Sequence, residues 1–240
     1  MQVSDGRKAR WPKQLPEMTP EQLAIRDDWM AYFYSDVYTS RFGAIQKFNH
    51  RYAARTARAG VRTLDVGAGL GEHLEFEDWR LGEYVALEIR PEMAAEIARR
   101  YPLARTVVGD LAEGLEFDAG SFDRVIAIHV LEHVLDLPAA LDEIDRLLKP
   151  GGVLSVVLPC EGGVTYSLGR RMTTQRIFEK RYGVDFGPFI ASEHVNVVGE
   201  IADELDHRFK REHAEWFPVR VPSVHVNVCV GLTYRKVTSE

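Results

Sequence analysis

Three glycines within five residues, Gly67, Gly69 and Gly71, follow the strand-like run Arg62-Thr63-Leu64-Asp65-Val66, and an acid, Glu88, closes a second such run about twenty residues later. A strand that stops at glycines lets backbone approach a ligand without interference from Cβ atoms. A carboxylate at the tip of the next strand can accept from both hydroxyls of a ribose. The set points to a nucleoside cradle, although a tight strand-to-helix turn explains any one of the glycines alone. A dinucleotide site would want G-x-G-x-x-G, but the third position is Glu72 counted from Gly67 and Leu74 counted from Gly69. A carboxylate there repels a pyrophosphate. The expected ligand is an adenosine without phosphates.

Three histidines offer a second kind of chemistry. His129 and His133 are four apart, a metal-compatible spacing on a helix, but Val130-Leu131-Glu132 between them lacks the glutamate position of zinc peptidases, and His129 is expected to end a strand, so no metal is expected. His194 lies in Ser192-Glu193-His194-Val195-Asn196, just before a helical stretch from Val197 to Phe209. Glu193 or Asn196 is expected to fix its imidazole and raise its basicity. The competing reading of that cluster is a helix cap in which the histidine only packs, and the alternative for His133 is a helix-packing residue.

The segment 160–195 is too long for a simple connection and is expected to be functional. Its middle, Gly169 to Arg181, holds five basic residues against one acid. Arg170, Arg171 and Arg176 suit a phosphate, nucleotide or carboxylate on a substrate, and a solvated helix face is the alternative. The aromatic series Trp29, Tyr32, Phe33, Tyr34, Tyr38 and Phe42 reads either as a lid over the same mouth or as an ordinary core-facing helix.

These groups need a scaffold, and the chain alternates strand and helix patterns after residue 60. Runs at 62–66, 83–89, 104–108, 122–130 and 151–158 read as buried strands, and 92–100 and 138–149 carry helical periodicity, ended by Pro150-Gly151-Gly152. Such alternation yields a parallel sheet covered on both faces. Two last runs, 214–221 and 224–235, joined by Pro222-Ser223, read as an antiparallel hairpin on the sheet edge. In an open α/β sheet, ligands bind outside the carboxyl ends of the strands. The candidate site is then the row Asp65 to Gly71, including Ala68, with Glu88-Ile89, Asp110-Leu111, His129-Val130 and Pro159-Cys160.

Leu64-Asp65-Val66-Gly67-Ala68-Gly69-Leu70-Gly71 resembles the first motif of class I S-adenosylmethionine-dependent methyltransferases. The resemblance continues in order through Glu88, Gly109-Asp110-Leu111, the run Phe122 to His133, and Leu147 to Leu154, covering roughly residues 60–160. It implies a Rossmann-like, seven-stranded, mostly parallel sheet with an antiparallel C-terminal hairpin, and S-adenosyl-L-methionine as cofactor. By this resemblance Glu88 holds the ribose, Ile89 lies against the adenine, Asp110 and the Leu111 amide meet its edge, and Asp65 and the Gly67 backbone take the methionine end. Asp110 read alone is equally a helix cap.

Length and composition agree with one soluble enzyme domain: 240 residues and 45% hydrophobic content suffice for a large core. The expected organisation is a helical or lid segment at 1–60, a cofactor-binding core at 61–160, a substrate-side insertion at 160–195, and a helix with hairpin at 196–240. Residues Met1 to Lys8 have no apolar run behind their charges, and with two cysteines, Cys160 and Cys229, a cytoplasmic setting is the expectation. A net charge of −6 argues against broad nucleic-acid binding while leaving room for a local basic groove. The reading is methyl transfer to a polar small molecule, with a hydroxyl oxygen as acceptor, His194 or His133 as base, and a sugar or nucleotide-sugar as a suitable acceptor. The alternatives are a nucleic-acid methyltransferase and a non-catalytic S-adenosylmethionine-binding partner.

Overall fold

The computed structural model describes residues 10–33 and 43–237. Seven strands form one sheet: β1 (Arg62–Val66), β2 (Glu83–Glu88), β3 (Arg105–Val108), β4 (Phe122–Ile128), β5 (Leu148–Pro159), β6 (Phe209–Phe217) and β7 (Cys229–Lys236), in the order β3-β2-β1-β4-β5-β7-β6. The pairs from β3 to β5 are parallel, and β7 runs antiparallel to both neighbours. This is the expected sheet. The order reverses at β1, which lies between β2 and β4, so the switch point falls where the glycines begin.

Successive side chains of a strand point to opposite faces, and both faces here are apolar. Leu64, Val66, Val125, Ala127, Val156 and their neighbours pack beneath α4 (Leu137–Leu147) and α8 (Val198–Arg208), through Leu141, Ile144, Ile201 and Leu205. On the other face Tyr84, Ala86 and Ile126 meet Ala53 of α2 (Gly43–Ala54) and Ile97 of α3 (Pro91–Arg100). Tyr52 of α2 lies on β7 because position 231 is glycine: a Cβ there would stand 2.4 Å from the Tyr52 ring. The Tyr52 hydroxyl and Thr233 Oγ1 are 2.9 Å apart.

Two expectations are corrected at the strand ends. The hairpin has no tight turn at Pro222-Ser223. Instead residues 218–228 form a loop organised by buried Asn227, which accepts from the Val219 N–H and donates to the Val221 and Ser223 carbonyls. Pro150-Gly151-Gly152 does not stop the helix either. The helix ends at Leu147, and these residues lie inside β5, opposite a register shift between Phe122 and Arg124.

Segment 160–195 folds into three short helices, α5 (Val164–Met172), α6 (Thr174–Tyr182) and α7 (Gly187–Glu193). With α1 (Pro20–Tyr32) they enclose an aromatic core of Trp29, Phe178, Phe186 and Phe189, in which Trp29 meets Phe178 edge-on at 5.2 Å. Trp29 is thus a packing residue. Tyr34, Tyr38 and Phe42 lie outside the described residues, as do Met1 to Lys8. No described helix is long and apolar enough to cross a membrane.

Beneath the sheet, Arg124 of β4 is 2% exposed and forks onto Glu77, both contacts at 2.8 Å, while also donating to the Ala53 carbonyl and Thr56 Oγ1. One guanidinium thereby ties β4, α2 and the loop before β2 together. Burial pushes the Glu77 carboxyl up, but hydrogen bonds and charge from His73 and Arg124 overcome it and hold the pKa at about 2. A folded pKa below the unfolded value of about 4.3 gives stability that is complete above that value and lost as pH falls toward 2. Glu77→Gln should destabilise the protein by roughly 3–5 kcal/mol at neutral pH, because it strands a buried arginine. It should also flatten the acid limb between about pH 4 and 2 in chemical denaturation. An unchanged acid limb would show that other carboxylates govern it.

Candidate active site

The glycine loop has the backbone that only glycine adopts freely: φ is 63° at Gly67, 62° at Gly69 and 83° at Gly71. At Gly67 space is also refused, since a Cβ would lie 2.5 Å from Val130 Cγ2. Val130 follows β4, so the two loops flanking the switch point are in direct contact. Ala68 is buried, and its N–H donates to the Leu87 carbonyl. Glu72 begins a short 3₁₀ turn and accepts from the Leu70 N–H, which places a carboxylate where a pyrophosphate would have to lie.

Glu88 is only 3% exposed. One oxygen accepts from the Gly69 N–H at 2.9 Å and the other from the Arg90 N–H at 3.1 Å. The acid at the strand tip therefore also holds the glycine loop, a structural duty that its position in the sequence did not announce. Ile89 beside it is 58% exposed, an open apolar face. Asp110 caps the short 3₁₀ turn Leu111–Glu113 by accepting from the Ala112 N–H, and the Leu111 side chain is buried in the core. Asp65 is buried under the loop and accepts from the Tyr84 hydroxyl at 2.7 Å. Burial drives its pKa up to about 6 against the opposing effects of His73 and Tyr84.

The end of β4 carries the other cluster. The strand stops at Ile128, because His129 takes a left-handed φ of 54°. Asn49 Nδ2 donates to His129 Nε2 at 2.8 Å, which leaves Nδ1–H to donate to Glu132 Oε1 at 3.1 Å. Glu132 is 1% exposed. Burial alone would raise its pKa, but the His129 hydrogen bond and the charges of His129, His133 and His194 bring it to about 2. His133 Nδ1 donates to the Glu193 carbonyl at 2.7 Å, leaving Nε2 as the ring nitrogen that can accept a proton. Its pKa is lowered, by desolvation first, with Glu132 opposing and His194 adding. The His133 and His194 rings stand edge to face at 4.9 Å.

The partner of His194 is neither Glu193 nor Asn196. Its Nδ1 meets the Glu161 carboxylate in a short contact, and Glu161 also takes the Arg170 guanidinium at 2.7 Å. Asn196 is instead a clamp, accepting from the Trp11 indole and donating to the Leu131 and Val134 carbonyls. The cluster is not a helix cap, because α8 begins later, after Val197. The structure thus brings His129, His133 and His194 together but takes Arg170 into an ion pair and leaves Arg171 and Arg176 exposed. Glu161, Glu132 and Asn49 are the residues that sequence reasoning missed. Glu161 directly follows Pro159-Cys160, so a reading of strand ends extended by one residue finds it.

Four buried polar atoms near these loops have no protein partner: Asn49 Oδ1, His50 Nδ1, His73 Nδ1 and Glu132 Oε2. His50 and His73 lie 5.6 Å apart, and burial, aided by His73 and His129, drives the His50 pKa down to about 3, so it is neutral. Unpaired buried atoms are costly and need a partner from solvent or a ligand. With the glycine cradle and the buried Glu88, they fit a polar nucleoside ligand bearing further hydrogen-bonding groups. Among the described residues no three acids, histidines or cysteines converge on a metal geometry.

Residues 64–156 match the methyltransferase domain family. The chain is 42% identical over 108 residues to a ubiquinone biosynthesis O-methyltransferase of Xanthomonas oryzae pv. oryzae, covering 42% of this chain and 44% of that one. It is 34% identical over 123 residues to a sterol 24-C-methyltransferase of Aspergillus fumigatus, covering 48% of this chain and 32% of that one. The chain therefore spans less than half the length of these curated relatives. Among solved structures, a Burkholderia thailandensis 1,6-didemethyltoxoflavin-N1-methyltransferase with bound 1,6-didemethyltoxoflavin and S-adenosylhomocysteine superposes with a TM-score of 0.60 at 19% identity, covering 95% of this chain and 94% of that one.

The contact between the two loops is testable. Gly67→Ala should cost more than the roughly 1–2 kcal/mol of a left-handed alanine, because the new methyl meets Val130. The double variant with Val130→Ala should recover the steric part but not the backbone part. Additive costs in a thermodynamic cycle would show that the loops do not touch.

Proposed function

We propose that this chain, whose residues 64–156 match the methyltransferase domain family, is a class I S-adenosylmethionine-dependent methyltransferase that methylates a polar small molecule, with a hydroxyl oxygen as the acceptor atom. The observation that carries this reading is the adjacency of two sets of groups at one end of the sheet: the Gly67–Gly71 cradle with buried Glu88, and a histidine–carboxylate cluster tied to it through Val130. The bound cofactor supplies an electrophilic methyl group on a sulfonium. In our reading Glu88 holds the ribose diol, Ile89 the adenine face, and Asp110 with the Leu111 amide its edge. Asp65, Gly67 and the unpaired atoms of Asn49, His50 and His73 serve the methionine end.

Alignment supplies most of the acceleration in methyl transfer, and a base is needed only when the acceptor is protonated at working pH. A hydroxyl is such an acceptor. His194 takes its proton, oriented by Glu161, and His133 Nε2 is the second acceptor within the same cluster. The relative named as an O-methyltransferase agrees with an oxygen acceptor, whereas the sterol relative is named for carbon. A sugar or nucleotide-sugar suits the polar surroundings, while of the insertion arginines Arg170 is taken by Glu161 and Arg171 and Arg176 are exposed.

Glu88→Ala should weaken S-adenosylmethionine binding roughly ten- to a hundredfold, the loss of about 1.4–3 kcal/mol of hydrogen bonding. Because Glu88 also holds the Gly69 and Arg90 amides, the variant should melt earlier. Titration calorimetry well below its melting temperature isolates the affinity, and an unaltered Kd would remove Glu88 from the site.

His194→Ala should lower kcat by about 10²–10⁴ with cofactor affinity intact. Glu161→Gln should move kcat in the same direction by less, since the imidazole keeps a polar neighbour. Near-normal turnover in both variants would leave alignment alone as the mechanism.

A further inference from the structure

The outer face of α2 carries a charge pattern that the cofactor site does not use. Lys47, Arg51 and Arg55 recur every four residues, and with Arg220 from the β6–β7 loop they line an open cleft of about 500 Å³. That volume lies within the range of small-molecule sites. Phe48, stacked on Phe217 at 5.0 Å, forms its apolar wall. Glu215 is the acid lining the cleft, and Arg55 neutralises it. Among the described residues, Lys47, Arg51 and Arg220 have no carboxylate partner, in a chain whose net charge is −6.

The cleft opens beside the candidate active site. Phe217 pairs with Cys229, and Cys229 with Pro159 at the carboxyl end of β5. Cys229 Sγ is 3.9 Å from His129 Nε2, and Asn49 on the inner face of α2 reaches the same histidine. One helix therefore separates the histidine cluster from the cleft, and both lie at the same end of the sheet.

We propose that the cleft binds the diphosphate or phosphate ester of the methyl acceptor, with the acceptor's apolar body lying along Phe48 and Phe217. Three uncompensated cations around one opening match a multiply charged phosphate better than a single carboxylate, and arginine forks suit phosphate oxygens. The proposal rests on the small-molecule reading above. It places the anion on α2 rather than on the arginines of the insertion.

The test titrates the full chain with inorganic pyrophosphate and with uridine diphosphate by calorimetry, and with S-adenosylhomocysteine in parallel. Pyrophosphate should bind, more weakly as salt rises. The double variant R51E/R220E, both positions exposed, should lose roughly ten- to a hundredfold in affinity. It should keep its melting temperature and its affinity for S-adenosylhomocysteine, and R171E/R176E should bind pyrophosphate like the parent. Absence of pyrophosphate binding, equal binding by R51E/R220E, or loss in R171E/R176E instead would overturn the proposal. So would retention of single-stranded RNA or anionic phosphatidylglycerol vesicles without any response to pyrophosphate. Failure of S-adenosylhomocysteine to bind any of the proteins would count against the methyl-transfer reading and leave the anion cleft standing.

Discussion

A carboxylate sealed from water must be compensated by its neighbours, and at Glu132 that requirement organises the whole upper end of the molecule. Its side chain takes the His129 Nδ1–H, and that hydrogen bond together with the surrounding histidines keeps its pKa low despite burial. Its main-chain carbonyl accepts from both the Val195 and Asn196 N–H groups. One residue thus binds the exit of β4 to the segment that leads into α8. Asn196 completes the closure by reaching back to the Leu131 and Val134 carbonyls and out to Trp11. His194 is placed by this bracing, and Glu161 at the exit of β5 needs only to meet it.

The same logic runs through α2, which serves as a wall with two working sides. Tyr52 seats the helix on β7, where Gly231 leaves room for the ring, and Arg124 fixes its carboxyl end through the Ala53 carbonyl. Held at both points, the helix presents Asn49 and His50 inward with atoms left unpaired. Polar atoms so placed need a partner from solvent or a ligand, and the cofactor reading offers one.

The sheet was legible because buried parallel strands need nearly continuous apolar runs and their turns need glycine, both of which are local properties of the chain. The glycine cradle and Glu88 were legible for the same reason. What escaped depended on contacts between distant residues. Glu161 and His194 are 33 positions apart, and Asn49 and His129 are 80 apart. No local spacing reports such pairs, so the histidine was assigned the polar neighbours it has in sequence rather than those it has in space. The loop at 218–228 escaped because Asn227 organises it with three hydrogen bonds, whereas Pro222-Ser223 carries the local turn signal. Pro150-Gly151-Gly152 misled in the opposite way: the same residues that end a helix also permit an irregular strand start.

Charge runs show the difference between sequence and space most plainly. Five basic residues between Gly169 and Arg181 read as a cationic patch, yet Arg170 is taken by Glu161 and Arg181 by Asp28 on α1. The first pair lies within the insertion beside the histidine cluster, and the second joins the insertion to α1 beside the aromatic core that Trp29 shares with Phe178. Lys47, Arg51, Arg55 and Arg220 never appear as a run, because two are a turn apart on a helix, the third follows its end and the fourth lies in a distant loop. Folding collects them on one cleft with a single acid. A cation density that matters to a ligand is set by which charges remain after internal pairing, and that remainder is a property of the fold.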